Sequence, residues 1–137
     1  MSTSAYSLFM LFKAVSLIFA TATVFTGAQA LLDPIAFSKT FGIEIPKQHD
    51  TPLLRSYVTL MATRQLATGI SILLLAKQGH FIAIAYILMV AGFVVAGTDG
   101  VFIAKNGSRK MGIVHAGPGF AIASLAALTI WQEARSC

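Results

Sequence analysis

The stretch Gly97-Thr98-Asp99-Gly100-Val101-Phe102-Ile103-Ala104-Lys105-Asn106-Gly107-Ser108-Arg109-Lys110-Met111-Gly112-Ile113-Val114-His115-Ala116-Gly117-Pro118-Gly119 decides how the chain is read. One long apolar run ends in it, a short basic turn follows, and another apolar run begins, so two helices must return on each other across a tight connection. Asp99 sits near the end of the first run and His115 just inside the second. Ionisable groups within membrane spans are unfavourable to keep, so each is a candidate functional residue once a partner can be named for it. The partner the sequence offers Asp99 is Arg64.

The composition makes these runs membrane spans. Of 137 residues, 56% are hydrophobic and 11% charged, and the mean hydropathy is +0.77, far from soluble averages. Four apolar runs and their connections use nearly the whole length, which predicts an all-α, antiparallel four-helix transmembrane bundle forming one integral membrane domain over residues 1–137. The spans are expected at about residues 8–32, 52–76, 81–105 and 109–131, with no extramembrane catalytic domain. The net charge of +5 is no nucleic-acid footprint, because the basic residues lie in short turns at span ends; they point to topology and anionic headgroups. The lone Cys137 excludes an internal disulfide and has no metal-ligand spacing.

In the first span, residues 14–32 are uncharged, and Ser16, Ala20, Thr23 and Gly27 form a stripe of small residues where a neighbouring helix can come close. Lys13 can snorkel to the interface. Ala28-Gln29-Ala30 also resembles a signal-peptide cleavage site, but the later spans need a fourth helix to pack on. Asp33-Pro34, Gly42, Pro46 and His49-Asp50 make residues 33–50 an interfacial loop. Thr51-Pro52 is a helix start signal for the second span, in which Tyr57, Arg64, Thr68 and Ser71 form a polar face expected to point into the bundle. Lys77-Gln78-Gly79-His80 forces the third span antiparallel to the second. Tyr86, Met89, Gly92, Ala96 and Asp99 are read as sharing one helical face of that third span, with Gly92 and Ala96 as a second small-residue contact. Asn106-Gly107 suits a left-handed helix end and Ser108 a cap. In the fourth span Pro118 removes the hydrogen bond to the Val114 carbonyl, a kink signal beside His115, and Trp131 fits an interfacial anchor. The loops after the first and third spans hold Lys39, Lys47, Arg55, Lys105, Arg109 and Lys110, against Lys13, Lys77 and Arg135 on the other face. The positive-inside rule then puts those loops in the cytoplasm and both termini outside or in a lumen.

Depth turns scattered residues into a constellation. Measured from the basic face, Arg64 lies about 12 Å in, Asp99 about 9 Å and His115 about 10 Å at the helical rise, with Gln29 at the end of the first span able to approach them. Asp99 and His115 are the candidate catalytic acid and base and Arg64 the stabiliser of a developing negative charge. The same three residues would serve equally as an ion pair and hydrogen bond that hold the helices in register. Thr68, Ser71 and Tyr86 read as packing or back-bonded hydroxyls, and His49 and His80 as solvated connection residues.

Leu32-Asp33-Pro34 followed by Phe41-Gly42-Ile43, Arg64 with Gly69, Asp99 after Gly97, and Asn106-Gly107 leading to His115 resemble a small membrane family of bacteria and fungi, catalogued as domain of unknown function 4267. Its members commonly carry an acidic residue directly after the second-span arginine, where this chain has Gln65. The resemblance implies four spans and a polar cluster without an agreed activity, and fungal relatives often occur alongside biosynthetic enzymes for specialised metabolites. The resulting expectation is a bundle that binds a hydrophobic small molecule, an isomerase or cyclase of the proton-transfer type acting on a polyketide or terpenoid intermediate. It has no cofactor, no metal and no nucleic-acid partner, and lies in the endoplasmic reticulum or another endomembrane if the source is fungal. The alternatives are a non-catalytic scaffold of a larger membrane enzyme, with the small-residue stripes as association surfaces, and a proton-coupled transporter subunit, for which a homo-oligomer would be needed.

Overall fold

The computed structural model describes residues 3–40, 43–106 and 108–135. Phe41-Gly42, Gly107 and Cys137, each given a role above, lie outside them. The chain forms α1 (Thr3–Leu32), α2 (Pro34–Thr40), a 3-10 turn (Lys47–His49), α3 (Pro52–Lys77), α4 (Phe81–Val90), a π-helical turn (Ala91–Val95), α5 (Ala96–Asn106) and α6 (Arg109–Ala134). Segments Tyr6–Leu32, Pro52–Lys77, Phe81–Asn106 and Arg109–Ala134 are long and apolar enough to cross a membrane. The protein is an all-α, multi-pass membrane protein built as a four-helix bundle.

Local chemistry sets the ends of these helices. Thr51 has an extended backbone and its hydroxyl oxygen accepts the Leu54 N–H at 3.2 Å, with Pro52 in the first turn. At the other end of α3, Gly79 takes a φ of 79°. The Gly79 N–H then donates to the Ala76 carbonyl and the His80 N–H to the Leu75 carbonyl, at 3.0 and 2.9 Å, a pairing that satisfies the last turn and reverses the chain. Ser108 occupies the cap position before α6 with an extended backbone, but its hydroxyl makes no capping bond. Arg55 clasps Asp50 through Nε, 2.6 Å from Oδ1, and a second guanidinium nitrogen. The hydrogen bond from Arg55 holds the Asp50 carboxyl below the usual carboxylate range. A depressed carboxyl stabilises the fold above its unfolded pKa, and the contribution disappears as acid protonates it.

Three expectations are corrected. Residues 33–50 are not all loop: Asp33 Oδ1 accepts the Ala36 N–H at 2.9 Å and starts α2, whose Phe37 packs on Ala30 of α1 and Ala62 of α3. The Asp33-Pro34 pair, read as a breaker, is a cap and first-turn proline of the same kind as Thr51-Pro52. The polar face of the second span does not point into the packed interior. Tyr57, Arg64 and Ser71 are exposed and Thr68 is half-buried, because α3 turns Ala62, Gly69 and Ile72 inward. Tyr86 is 52% exposed while Gly92 is buried; six residues at about 100° each set the two about 120° apart around the helix, so Tyr86 lies off the seam face.

The decisive contacts are two seams of small residues. Ser16, Ala20, Thr23 and Gly27 of α1 are all buried. A Cβ added to Gly27 would lie 2.9 Å from Leu66 Cβ, and one on Gly69 would lie 2.7 Å from Thr23 Oγ1, so α1 and α3 touch almost backbone to backbone. On the other side of the bundle, Gly92, Ala96 and Gly100 meet Gly112, Ala116, Gly119 and Ala123 of α6. A Cβ on Gly112 would stand 2.5 Å from the Gly100 carbonyl oxygen, and one on Gly100 would stand 2.6 Å from Ala116 Cβ. Without a hydrophobic drive inside lipid, such close approach is what lets helices associate.

The two hairpins are joined by larger side chains. Phe12, Ala20, Ile72, Ile84, Ala85, Leu88 and Ala126 form one buried cluster towards the 77–80 connection. Lys13 reinforces that end, its ammonium 4.6 Å from the Phe9 ring centre and 4.7 Å from that of Phe81. Towards the basic loops, α3 packs on α1 and α2, whereas α5 packs on α6 and the π turn. Among the described residues, the close backbone contacts between the two hairpins are those of α1 with α4 and α6 and of α3 with α4. Arg135 stacks 3.8 Å over Trp131, and α6 runs unbroken past Pro118.

The seam makes a direct prediction. Gly100→Leu overpacks the α5–α6 contact and lowers stability by about 1–3 kcal/mol, whereas Gly117→Ala, with nothing within 4 Å of the added carbon, leaves it unchanged or raises it. Thermal unfolding in detergent checks this, and equal losses would mean that Gly100 is not at a contact. For the cap, wild type and Asp50→Asn converge in stability as acid titrates the carboxylate through its depressed folded-state pKa, below which it is protonated in both folded and unfolded chains.

Candidate functional site

The polar groups of the spans fall on defined flanks of the seams. His115 Nε2 stands 3.9 Å from Asp99 Oδ2, with the two side chains 28% and 29% exposed. Asp99 precedes the seam residue Gly100, and His115 precedes the seam residue Ala116, so tight backbone contact sets how near the two side chains lie. At 3.9 Å the pair is an electrostatic contact slightly too long for a direct hydrogen bond, a spacing at which a small shift or one water passes a proton.

The direction in which this pair faces can be followed along α6. His115, Ile122, Ala126 and Thr129 are spaced by seven, four and three residues, one helical face; Ala126 and Thr129 are buried and Ile122 packs on the central cluster. His115 therefore continues the inward stripe of α6 towards the basic-loop end of the bundle. The opposite flank of the same seam carries Phe93 and Phe120, ring centres 5.8 Å apart, and Gly97, where an added Cβ would lie 3.4 Å from the Phe120 ring.

Arg64 is not brought to the pair. It is exposed, and among the described residues no carboxylate lies within 4 Å of it. Its helix, α3, is zipped to α1 at this level. Arg64, Thr68 and Leu75 recur at four and seven residues along one side of α3, on which Leu75 is partly buried against the central cluster. Gln29 is half-buried, and among the described residues none of its side-chain hydrogen bonds reaches Arg64, Asp99 or His115. Thr68 is back-bonded to the Arg64 carbonyl at 2.9 Å. His49 and His80 are exposed in connections.

Sequence reading missed one polar contact. Gln65 Nε2 donates to Thr26 Oγ1 at 2.7 Å across α1 and α3, while the Thr26 hydroxyl donates to the Ala22 carbonyl. The signal was an amide in an apolar run, but its partner 39 residues away has no mark in the sequence. Among the described residues one open cleft of about 740 Å³ lies around α2 and the start of α3, and another of about 620 Å³ lies along α5 beside Phe120. Neither is lined by Arg64, Asp99 or His115. Among the described residues no three metal-ligating side chains converge.

The chain belongs to the family described as Domain of unknown function (DUF4267), whose model matches residues 20–129, a range containing α2, Arg64, Gln65, Asp99 and His115. No functionally curated protein and no solved structure matches it.

The Gln65–Thr26 bond is testable by a double-mutant cycle. Gln65→Leu and Thr26→Val are each expected to lower stability, with a coupling of about 0.6 kcal/mol, the mean for interhelical hydrogen bonds in membranes. Additive losses in detergent unfolding would mean that the two side chains do not interact.

Proposed function

We propose that this membrane protein acts on a hydrophobic small molecule by acid–base proton transfer, with Asp99 and His115 as the exchanging pair. The observation that carries the reading is the placement of a carboxylate and an imidazole 3.9 Å apart across a span seam, with His115 on the inward stripe of α6. An ionisable pair in such a position is a functional-site hypothesis by default. In an isomerase or cyclase, one member takes a proton from the substrate and the other returns one at a second atom, so no oxidant or cofactor is required. Arg64 of α3 would steady the negative charge that develops between the two transfers. The chemical class, a lipophilic polyketide or terpenoid intermediate, rests on the company that fungal relatives keep, and the orientation, with the basic loops cytoplasmic, on charge asymmetry.

The second reading is a non-catalytic subunit of a larger membrane enzyme, favoured by one observation: neither open cleft reaches the pair. Its original motive is weakened, because the small-residue stripes offered as association surfaces are filled by the protein's own helices. Purified protein in detergent, supplied with candidate intermediates, separates the two. Asp99→Asn and His115→Ala are expected to lower turnover by about 100-fold or more without changing assembly, and Arg64→Gln to lower it less. Turnover unchanged in both of the first two variants removes the chemistry. Loss of a copurifying membrane enzyme in Asp99→Asn, with no substrate bound by the isolated protein, supports the subunit reading.

A further inference from the structure

The second cleft lies on the flank of the α5–α6 seam away from Asp99 and His115, and it has the composition of a lipid site. Its apolar walls come from Phe93, Val101, Phe102 and Phe120, and Lys105 closes one end. Gly97 opens the middle: the space its missing side chain leaves is bounded by the Phe120 ring. The hydroxyl of Thr98 donates to the Val94 carbonyl at 2.7 Å, so it presents no unsatisfied donor to the trough. From Phe93 to Lys105 the trough rises about 18 Å along the helix, the length of a substantial part of one acyl chain in a bilayer leaflet about 15 Å deep.

Charge selects the headgroup. Lys105 stands at the end of the third span, and the following turn adds Arg109 and Lys110, all three exposed and with no acidic residue between them. Asp99 is the nearest acid along this segment, and it faces His115 on the other flank. Lys105 therefore stands at the end of an apolar trough, and Arg109 and Lys110 follow it at the start of α6. By contrast, the cleft around α2 mixes Lys39, Lys47 and Arg55 with Asp33, Glu44 and Asp50 and shows no preference of sign.

We propose that the trough bounded by Phe93, Gly97, Phe120 and Lys105 is a specific site for an anionic phospholipid, one acyl chain lying along α5 and the phosphate held by Lys105 with Arg109 and Lys110. The site is separate from the proton-transfer centre and does not depend on it. Juxtamembrane lysines and arginines attract anionic headgroups strongly enough for each to matter on its own.

The test is native mass spectrometry of the full chain released from detergent, titrated with dioleoylphosphatidylglycerol or dioleoylphosphatidylcholine. Wild type is expected to retain phosphatidylglycerol in preference to phosphatidylcholine. Lys105→Gln, at an exposed position outside the packing, should weaken phosphatidylglycerol retention by about fivefold, the equivalent of one near-surface charge. Gly97→Leu, which fills the trough, should remove the preference, whereas Lys39→Gln in the other basic loop should leave it intact. Equal retention of the two lipids by wild type overturns the proposal. So does retention by Lys105→Gln equal to wild type, which decides the matter even if Gly97→Leu fails to fold.

Discussion

Backbone-to-backbone contact between small residues is the constraint on which this structure depends. In lipid the helices gain nothing by hiding apolar side chains from water, so they associate where glycine, alanine, serine and threonine let them approach closely. Gly27 and Gly69 close α1 on α3, and Gly92, Gly100, Gly112 and Gly119 close the third span on α6. Each hairpin is thus a tight unit by itself. The bulkier cluster around Phe12, Ile72 and Leu88 joins the two units towards the 77–80 connection, and no residue of α2 or α5 belongs to it.

The position of the polar groups follows from that arrangement. Because the α5–α6 seam is tight, the residues flanking it are sorted to opposite sides within a few ångströms. Asp99 and His115 meet on the inner flank, while Gly97, Phe93 and Phe120 meet on the outer one. One seam therefore orders two chemically different surfaces, an ionisable pair facing the other hairpin and an apolar trough ending in a basic turn. Arg64 belongs to the first hairpin and is not brought to this inner surface.

Much of this was legible in the residues. Four spans, the Thr51-Pro52 start, the Gly79 turn, the stripe from Ser16 to Gly27 and the Gly92–Ala96 contact all follow from hydropathy, capping and spacing. What was not legible is which helix neighbours which. Depth along the axis puts Arg64, Asp99 and His115 at one level, but level says nothing about azimuth, and the choice of His115 over Arg64 as the contact of Asp99 was made by glycines elsewhere. The π turn at Ala91–Val95 carries no proline or charge to announce it, and Tyr86 was misplaced because a run of three-residue steps drifts around a 3.6-residue helix. Asp33-Pro34 was misread for a different reason: the pair stops one helix and starts another, and only the second role shows in α2.

For Asp99 and His115 to act on a substrate, His115 must border an aqueous or substrate-accessible space while the outer flank of α6 borders lipid. Thiol accessibility measures this directly, since a cysteine reacts as its thiolate and scarcely ionises in hydrocarbon. In a Cys137→Ser background reconstituted in vesicles, His115→Cys should be modified by a charged, water-soluble methanethiosulfonate much faster than Ile113→Cys, although Ile113 is the more exposed residue, at 66%. Modification of Ile113→Cys as fast as His115→Cys, or no modification of His115→Cys at all, would contradict the account.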